Sequence, residues 1–114
     1  MSVVIYHNPR CSKSRETLAL LENKNIAPEV VKYLETPPSP EQLKTLYRQL
    51  GFDSVRDMMR TKEAEYKELA LADASDEQLF TAMASHPKLI ERPIVVKDGK
   101  AKLGRPPEQV LEIL

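Results

Sequence analysis

Apolar positions fall along the chain as short β-branched runs and as stripes spaced by three and four, and no apolar run exceeds four residues. Val3 to Tyr6 is a β-branched and aromatic run broken by Asn8-Pro9, which predicts a buried strand ending in a turn. From about Ser12 to Lys24 the segment SKSRETLALLENK is rich in helix formers and carries Leu18 and Leu21 on one face. Cys11 therefore falls at or beside a helix N-terminus. Glu29 to Tyr33 is a second β-rich run, and a helix between two such runs predicts a right-handed βαβ unit with parallel strands.

Ser39, followed by Pro40 and then Gln42, supplies an N-cap, a first-turn proline and a capping-box partner. The helix that starts there carries Leu43, Leu46, Tyr47 and Leu50 at helical spacing and ends on Gly51. Two further helical stretches are predicted around Ser54 to Arg60, with Val55, Met58 and Met59 on one stripe, and around Lys62 to Ala70. Ser75 and Gln78 repeat the capping box ahead of Leu79, Phe80 and Met83, and Pro87 ends that helix. Ile94 to Lys97 and Lys100 to Leu103 flank Asp98-Gly99, the pattern of a tight hairpin. Pro106-Pro107 opens a last helix with Val110, Leu111 and Leu114. The order predicts an α/β thioredoxin-like fold: a four-stranded mixed sheet flanked by helices, with a helical insertion between the βαβ and ββα halves.

A length of 114 residues suits one domain, residues 1–114, with a modest core and no staples. Seventeen basic residues against seventeen acidic ones leave no global field for nucleic acid or an anionic membrane, so anion binding must be local. The start MSVVIYHNPR lacks the apolar core of a signal peptide, and a cytoplasmic protein that neither spans nor rests on a membrane is expected. A monomer is the simpler expectation. The single cysteine excludes an internal disulfide and the common structural zinc sites with four protein ligands.

A thiol at a helix N-terminus meets the positive end of the dipole and unpaired N–H groups, both of which lower its pKa. Arg10, Lys13 and Arg15 add positive charge nearby, and His7 lies four residues before the cysteine. The alternative is an inert buried thiol, but Pro9-Arg10-Cys11-Ser12-Lys13-Ser14 is polar and turn-like. The same helix end suits an oxyanion, to which Ser12 and Ser14 can donate. No metal is expected, since His7, Cys11 and His86 lack ligand-pair spacing. With glycine only at 51, 99 and 104 there is neither a Walker loop nor GxGxxG, and the phosphatase spacing of Cys to Arg meets Thr17. Cys11-Ser12-Lys13-Ser14 is a CxxS, so redox turnover requires a thiol from another molecule, and glutathione or a glutaredoxin is the obvious supplier. Arg60, Arg92 and Arg105 are either solvated surface residues or a guanidinium clamp for a doubly charged oxyanion.

The blocks IYHNPRCSKSR at 5–15, YLETPPS at 33–39, MMRTKEAEY at 58–66, HPKLIERPIVV at 86–96 and GRPPEQVLEIL at 104–114 together resemble the glutaredoxin-linked arsenate reductase family over nearly the whole chain. The resemblance implies that Cys11 is the nucleophile. It also implies that Arg60, Arg92 and Arg105 bind the oxyanion and stabilise the intermediate, and that His7 and Ser14 tune the thiolate. In thioredoxin-like folds the proline at position 93 is typically cis and faces the cysteine. The resemblance further implies arsenate as substrate, phosphate as a weak competitor, no bound cofactor, and glutathione and glutaredoxin as thiol donors. Larger family members carry a C-terminal extension that this sequence lacks. Two rival readings stay open: a glutathione-dependent thiol oxidoreductase on the same scaffold, and a regulator that binds RNA polymerase. The regulators commonly have CxxC as a redox switch, where this chain has CxxS.

Overall fold

A computed structural model describes residues 2–114. The chain separates into two compact units, one made of the sequence up to Thr36 together with Arg92–Leu114, the other of Pro37–Glu91. The first is built on a four-stranded sheet. Strand β1 (Val3–Tyr6), helix α1 (Ser12–Asn23) and strand β2 (Glu29–Val31) form the βαβ half; β3 (Ile94–Lys97), β4 (Lys100–Leu103) and a 3-10 helix (Pro107–Ile113) follow from the distal part of the chain. The strand order is β2-β1-β3-β4. β1 runs parallel to β2, with Ile5 opposite Val30, and antiparallel to β3, with Ile5 opposite Val95; β3 and β4 form the hairpin. This is the thioredoxin-like arrangement, with the mixed sheet that the strand runs predict.

Alternation along β1 puts Val3 and Ile5 into a core with Leu21 of α1, Val95 of β3 and Val110 of the 3-10 helix, all buried. Asp98 and Gly99 both take positive φ, as the tight turn between β3 and β4 requires. Two boundaries differ from the sequence reading. β2 stops at Val31 because the Lys32 carbonyl accepts the N–H groups of Glu35 and Thr36, at 2.9 Å each, and closes a turn. The last segment winds as a 3-10 helix that leaves Leu111 exposed.

The helical unit contains α2 (Pro40–Leu50), α3 (Ala64–Glu68) and α4 (Asp76–Ser85). Both reciprocal capping boxes are formed, Ser39 with Gln42 and Ser75 with Gln78, each satisfying two otherwise open N–H groups. Gly51 closes α2 in the left-handed conformation, φ 72°. Tyr47 and Phe80 meet edge to face, with ring centroids 5.9 Å apart, joining α2 to α4.

The helix expected at Ser54 to Arg60 is instead one 3-10 turn, Val55–Met58. Met58 and Met59 are both buried, and the chain leaves the 3-10 turn at Met59 in extended conformation. Met59 bridges Ile90, the Arg60 N–H donates to the Leu89 carbonyl at 2.7 Å, and the Glu91 N–H donates to the Met58 carbonyl at 2.9 Å. The next predicted helix is reduced to α3, which buries no residue. Its far end is held by Arg56, which donates through Nη2 to the carbonyls of Leu71, Ala72 and Ala74 and through Nε to the Tyr66 hydroxyl.

Candidate active site

Cys11 is the N-cap residue of α1, in extended conformation, and is 8% exposed. Its N–H donates to the Asn8 carbonyl and its carbonyl accepts the Arg15 N–H, both at 3.0 Å, so the thiol stands on a fixed turn. Burial pushes the thiol up, but the Ser14 N–H, the charge of Arg92, a hydrogen bond from its guanidinium and the Lys13 N–H outweigh it. The net shift is downward. Sγ makes no capping hydrogen bond of strict geometry, so the first-turn N–H groups act on it mainly as dipoles.

Arg92 is half-buried and precedes a cis bond to Pro93; a second cis bond joins Arg105 to Pro106. Arg105 is exposed, and its Nη1 donates to the Arg92 carbonyl at 3.1 Å. The Gly104 N–H donates to the Pro93 carbonyl at 3.0 Å. A Cβ at Gly104 would overlap Thr17 Oγ1 and lie 2.8 Å from Pro93 Cγ. Glycine is therefore what lets the chain just past β4 run close against Thr17 of α1 and Pro93, bringing Arg92 and Arg105 to one end of the sheet.

His7 and Ser14 lie under the same turn, both buried. Ser14 Oγ lies 2.7 Å from His7 Nδ1 and accepts the Asn8 N–H at 3.0 Å. Ser14 is fully buried beside His7, whereas Ser12 is exposed at the start of α1. Burial, then the charges of Lys32 and Arg15, hold His7 below the usual imidazole range, so it is neutral near pH 7.

Cys11, Arg92, Arg105, His7 and Ser14 are thus gathered in the sheet unit. Arg60 belongs to the helical unit, where its Nη1 pairs with Glu63 at 2.6 Å. Among the described residues, no group of three or more His, Cys, Asp or Glu side chains is arranged to hold a metal ion, and no helix is long and apolar enough to cross a membrane.

The sequence pattern of the ArsC family matches residues 6–113. The chain belongs to the ArsC family. It is 59% identical over 116 residues to an arsenate reductase of Haemophilus influenzae, covering 100% of each chain. Against an arsenate reductase of Escherichia coli it is 48% identical, covering 99% of this chain and 81% of that one. A solved arsenate reductase from Vibrio cholerae superposes with a TM-score of 0.98 at 73% identity, covering 100% of this chain and 98% of that one.

Three residues that shape this ArsC-family site are not evident from the sequence. Asn8 reads there only as a turn residue, yet its N–H, carbonyl and side chain each hold part of the turn that carries the thiol. Gly104 and Thr17 act as a pair of touching surfaces. The cue for Gly104 is a glycine ahead of Arg-Pro-Pro; nothing marks Thr17, whose hydroxyl is occupied by the Lys13 carbonyl at 2.8 Å.

Proposed function

We propose that this protein reduces arsenate to arsenite, with the Cys11 thiolate as nucleophile and with glutathione and glutaredoxin supplying the remaining thiols. The pairing of a buried, acidified thiol at the α1 N-terminus with the Arg92 guanidinium carries this reading. A thiol with a lowered pKa and an adjacent fork-shaped cation suit attack on a tetrahedral oxyanion. A disulfide substrate has no oxyanion for that cation to hold.

The Cys11 sulfur bonds to arsenic as one arsenic–oxygen bond breaks and the hydroxyl leaves, giving a thiol ester of As(V). Arg92 and Arg105 stabilise the charge on the remaining oxygens. Glutathione then adds to arsenic. Glutaredoxin takes the glutathione sulfur as a mixed disulfide, leaving the electron pair on arsenic, and water then cleaves the Cys11 sulfur–arsenic bond, which restores the thiol and releases As(III). Overall, one arsenate and two thiols give one arsenite, one disulfide and one water. Phosphate has the same shape and charge but is not reduced, so it competes weakly.

The test is NADPH oxidation coupled through glutaredoxin and glutathione reductase, run once with arsenate and once with a small mixed disulfide in its place. The expected result is turnover that depends on arsenate and on this protein. Turnover of the disulfide alone would replace the reading with a general thiol reductase, and turnover of neither would favour an interaction module.

A further inference from the structure

Thr17 touches both halves of the candidate site. It stands on α1, less than two turns past Cys11, and is fully buried. Its hydroxyl donates to the Lys13 carbonyl at 2.8 Å, and the Lys13 N–H is one of the groups that lower the pKa of the thiol. That bond fixes the rotamer of a β-branched side chain, so Oγ1 and Cγ2 hold one place. Both face Gly104. A Cβ there would overlap Thr17 Oγ1 and lie 3.1 Å from Cγ2, and it would also lie 2.8 Å from Pro93 Cγ. Thr17 and Pro93 thus close together on the face of Gly104 where a side chain would stand. The Gly104 N–H donates to the Pro93 carbonyl at 3.0 Å and ties the junction from its other members. Arg92 precedes Pro93, and Arg105, next after Gly104, donates to the Arg92 carbonyl at 3.1 Å.

We propose that Thr17 is a positioning residue for the reaction at Cys11: its side chain is the spacer between α1 and the Pro93–Gly104 junction, and it sets how closely the Arg92 guanidinium approaches the sulfur. The thiol and the arginine stand on segments far apart in sequence, so their separation is fixed by contacts between those segments. Thr17 makes such a contact from α1, and Gly104 meets it with backbone alone. A close-packed interior passes a displacement on rather than absorbing it. The guanidinium also reaches the thiol through a hydrogen bond, which is directional, so movement in either sense weakens it. The proposal rests on the arsenate reading for which reaction is positioned, but not for the acidity of the thiol.

The test follows Cys11 alkylation by iodoacetamide against pH, and arsenate kinetics, in the full chain. Thr17→Ala is expected to raise the alkylation midpoint by about half a pH unit, a fraction of what a neighbouring guanidinium imposes. Its arsenate kcat/KM should fall about tenfold, less than the roughly 100-fold of a 1 Å misplacement. Thr17→Val keeps the spacer and loses only a neutral hydrogen bond whose acceptor retains its helical N–H partner. It should hold the native midpoint and stay within about threefold in kcat/KM. In a double-mutant cycle, Arg92→Met should move the midpoint about twice as far in the native chain as in the Thr17→Ala background. A native midpoint in Thr17→Ala, or an Arg92→Met step of equal size in both backgrounds, overturns the spacer and leaves Thr17 a core residue, whatever urea unfolding shows. Thr17→Val behaving as Thr17→Ala also overturns it, because the effect then belongs to the hydroxyl. If the midpoints and the cycle come out as expected while the native chain forms no arsenite, the positioning stands and the arsenate reading alone fails.

Discussion

Each unit of the molecule uses one residue to hold an irregular loop, and the two loops are held for different ends. In the helical unit Arg56 gathers three carbonyls between Leu71 and Ala74, and no reactive group stands on the loop it closes. In the sheet unit Asn8 ties its own turn to Ser14 and Cys11, and that turn presents a thiol to an arginine. The first network ties three backbone acceptors of an exposed to half-buried loop to one guanidinium, which serves stability. The second sets the geometry and charge of a nucleophile. A dense polar network marks a chemical site only where a reactive group sits on it.

The largest expected contrast comes from the glycines. Gly104→Val should destabilise the sheet unit by about 3 kcal/mol, the upper range for forcing atoms into a packed contact, because the new side chain meets Thr17 and Pro93. Gly51→Ala in the helical unit meets nothing within 4 Å and should lose only about 1 kcal/mol, through its positive φ. Urea unfolding of both variants checks this, and equal losses would remove the special status of the 104 contact.

Next in size is Arg92→Met, for which arsenate kcat/KM should fall roughly 100-fold, the scale of a lost charge-assisted contact, while the midpoint of Cys11 alkylation against pH moves upward. Arg92→Lys should restore the charge but not the fork and fall between the two. An unchanged alkylation midpoint in the Met variant would remove Arg92 from the thiolate's surroundings.

The sheet unit was legible because its signals are local. Four-residue β-branched runs, the Asp98-Gly99 turn and the helix formers after Ser12 each act over a few residues, and β1, β3 and β4 lie where the runs place them. Caps are local too, which is why Ser39 and Ser75 were readable. The segment from Ser54 to Ala70 was not, because its conformation is set by distant partners. Met59 extends to reach Ile90, and the loop beyond α3 follows carbonyls bonded to Arg56, fifteen residues and more away. In the site, Cys11 and the arginines stand out by residue type. The contact of Thr17 with Gly104 depends on how closely the chain past β4 approaches α1, which no local pattern encodes.

A smaller effect separates the units by pH. His7 has its pKa lowered on folding, so the unfolded chain binds the extra proton first as pH falls. The stability this group contributes is fully present above the ordinary imidazole value of about 6.5 and is lost as pH falls through the folded value. His7→Asn should flatten the pH dependence of unfolding free energy below about pH 6.5, and an unchanged slope would show that His7 does not titrate differently on folding. Smallest are the caps: Ser39→Ala and Ser75→Ala should each lose about 1 kcal/mol by urea unfolding and leave Cys11 alkylation unaltered.

The most direct test is arsenite production by Cys11→Ser beside the native chain, with glutathione and glutaredoxin in excess and arsenate binding measured on the same samples. The account predicts that the native chain forms arsenite continuously, whereas the variant binds arsenate with similar affinity and forms none. Arsenite from the variant at the native rate would contradict it, since the sulfur left in the chain belongs to four methionine thioethers, which cannot form a thiolate.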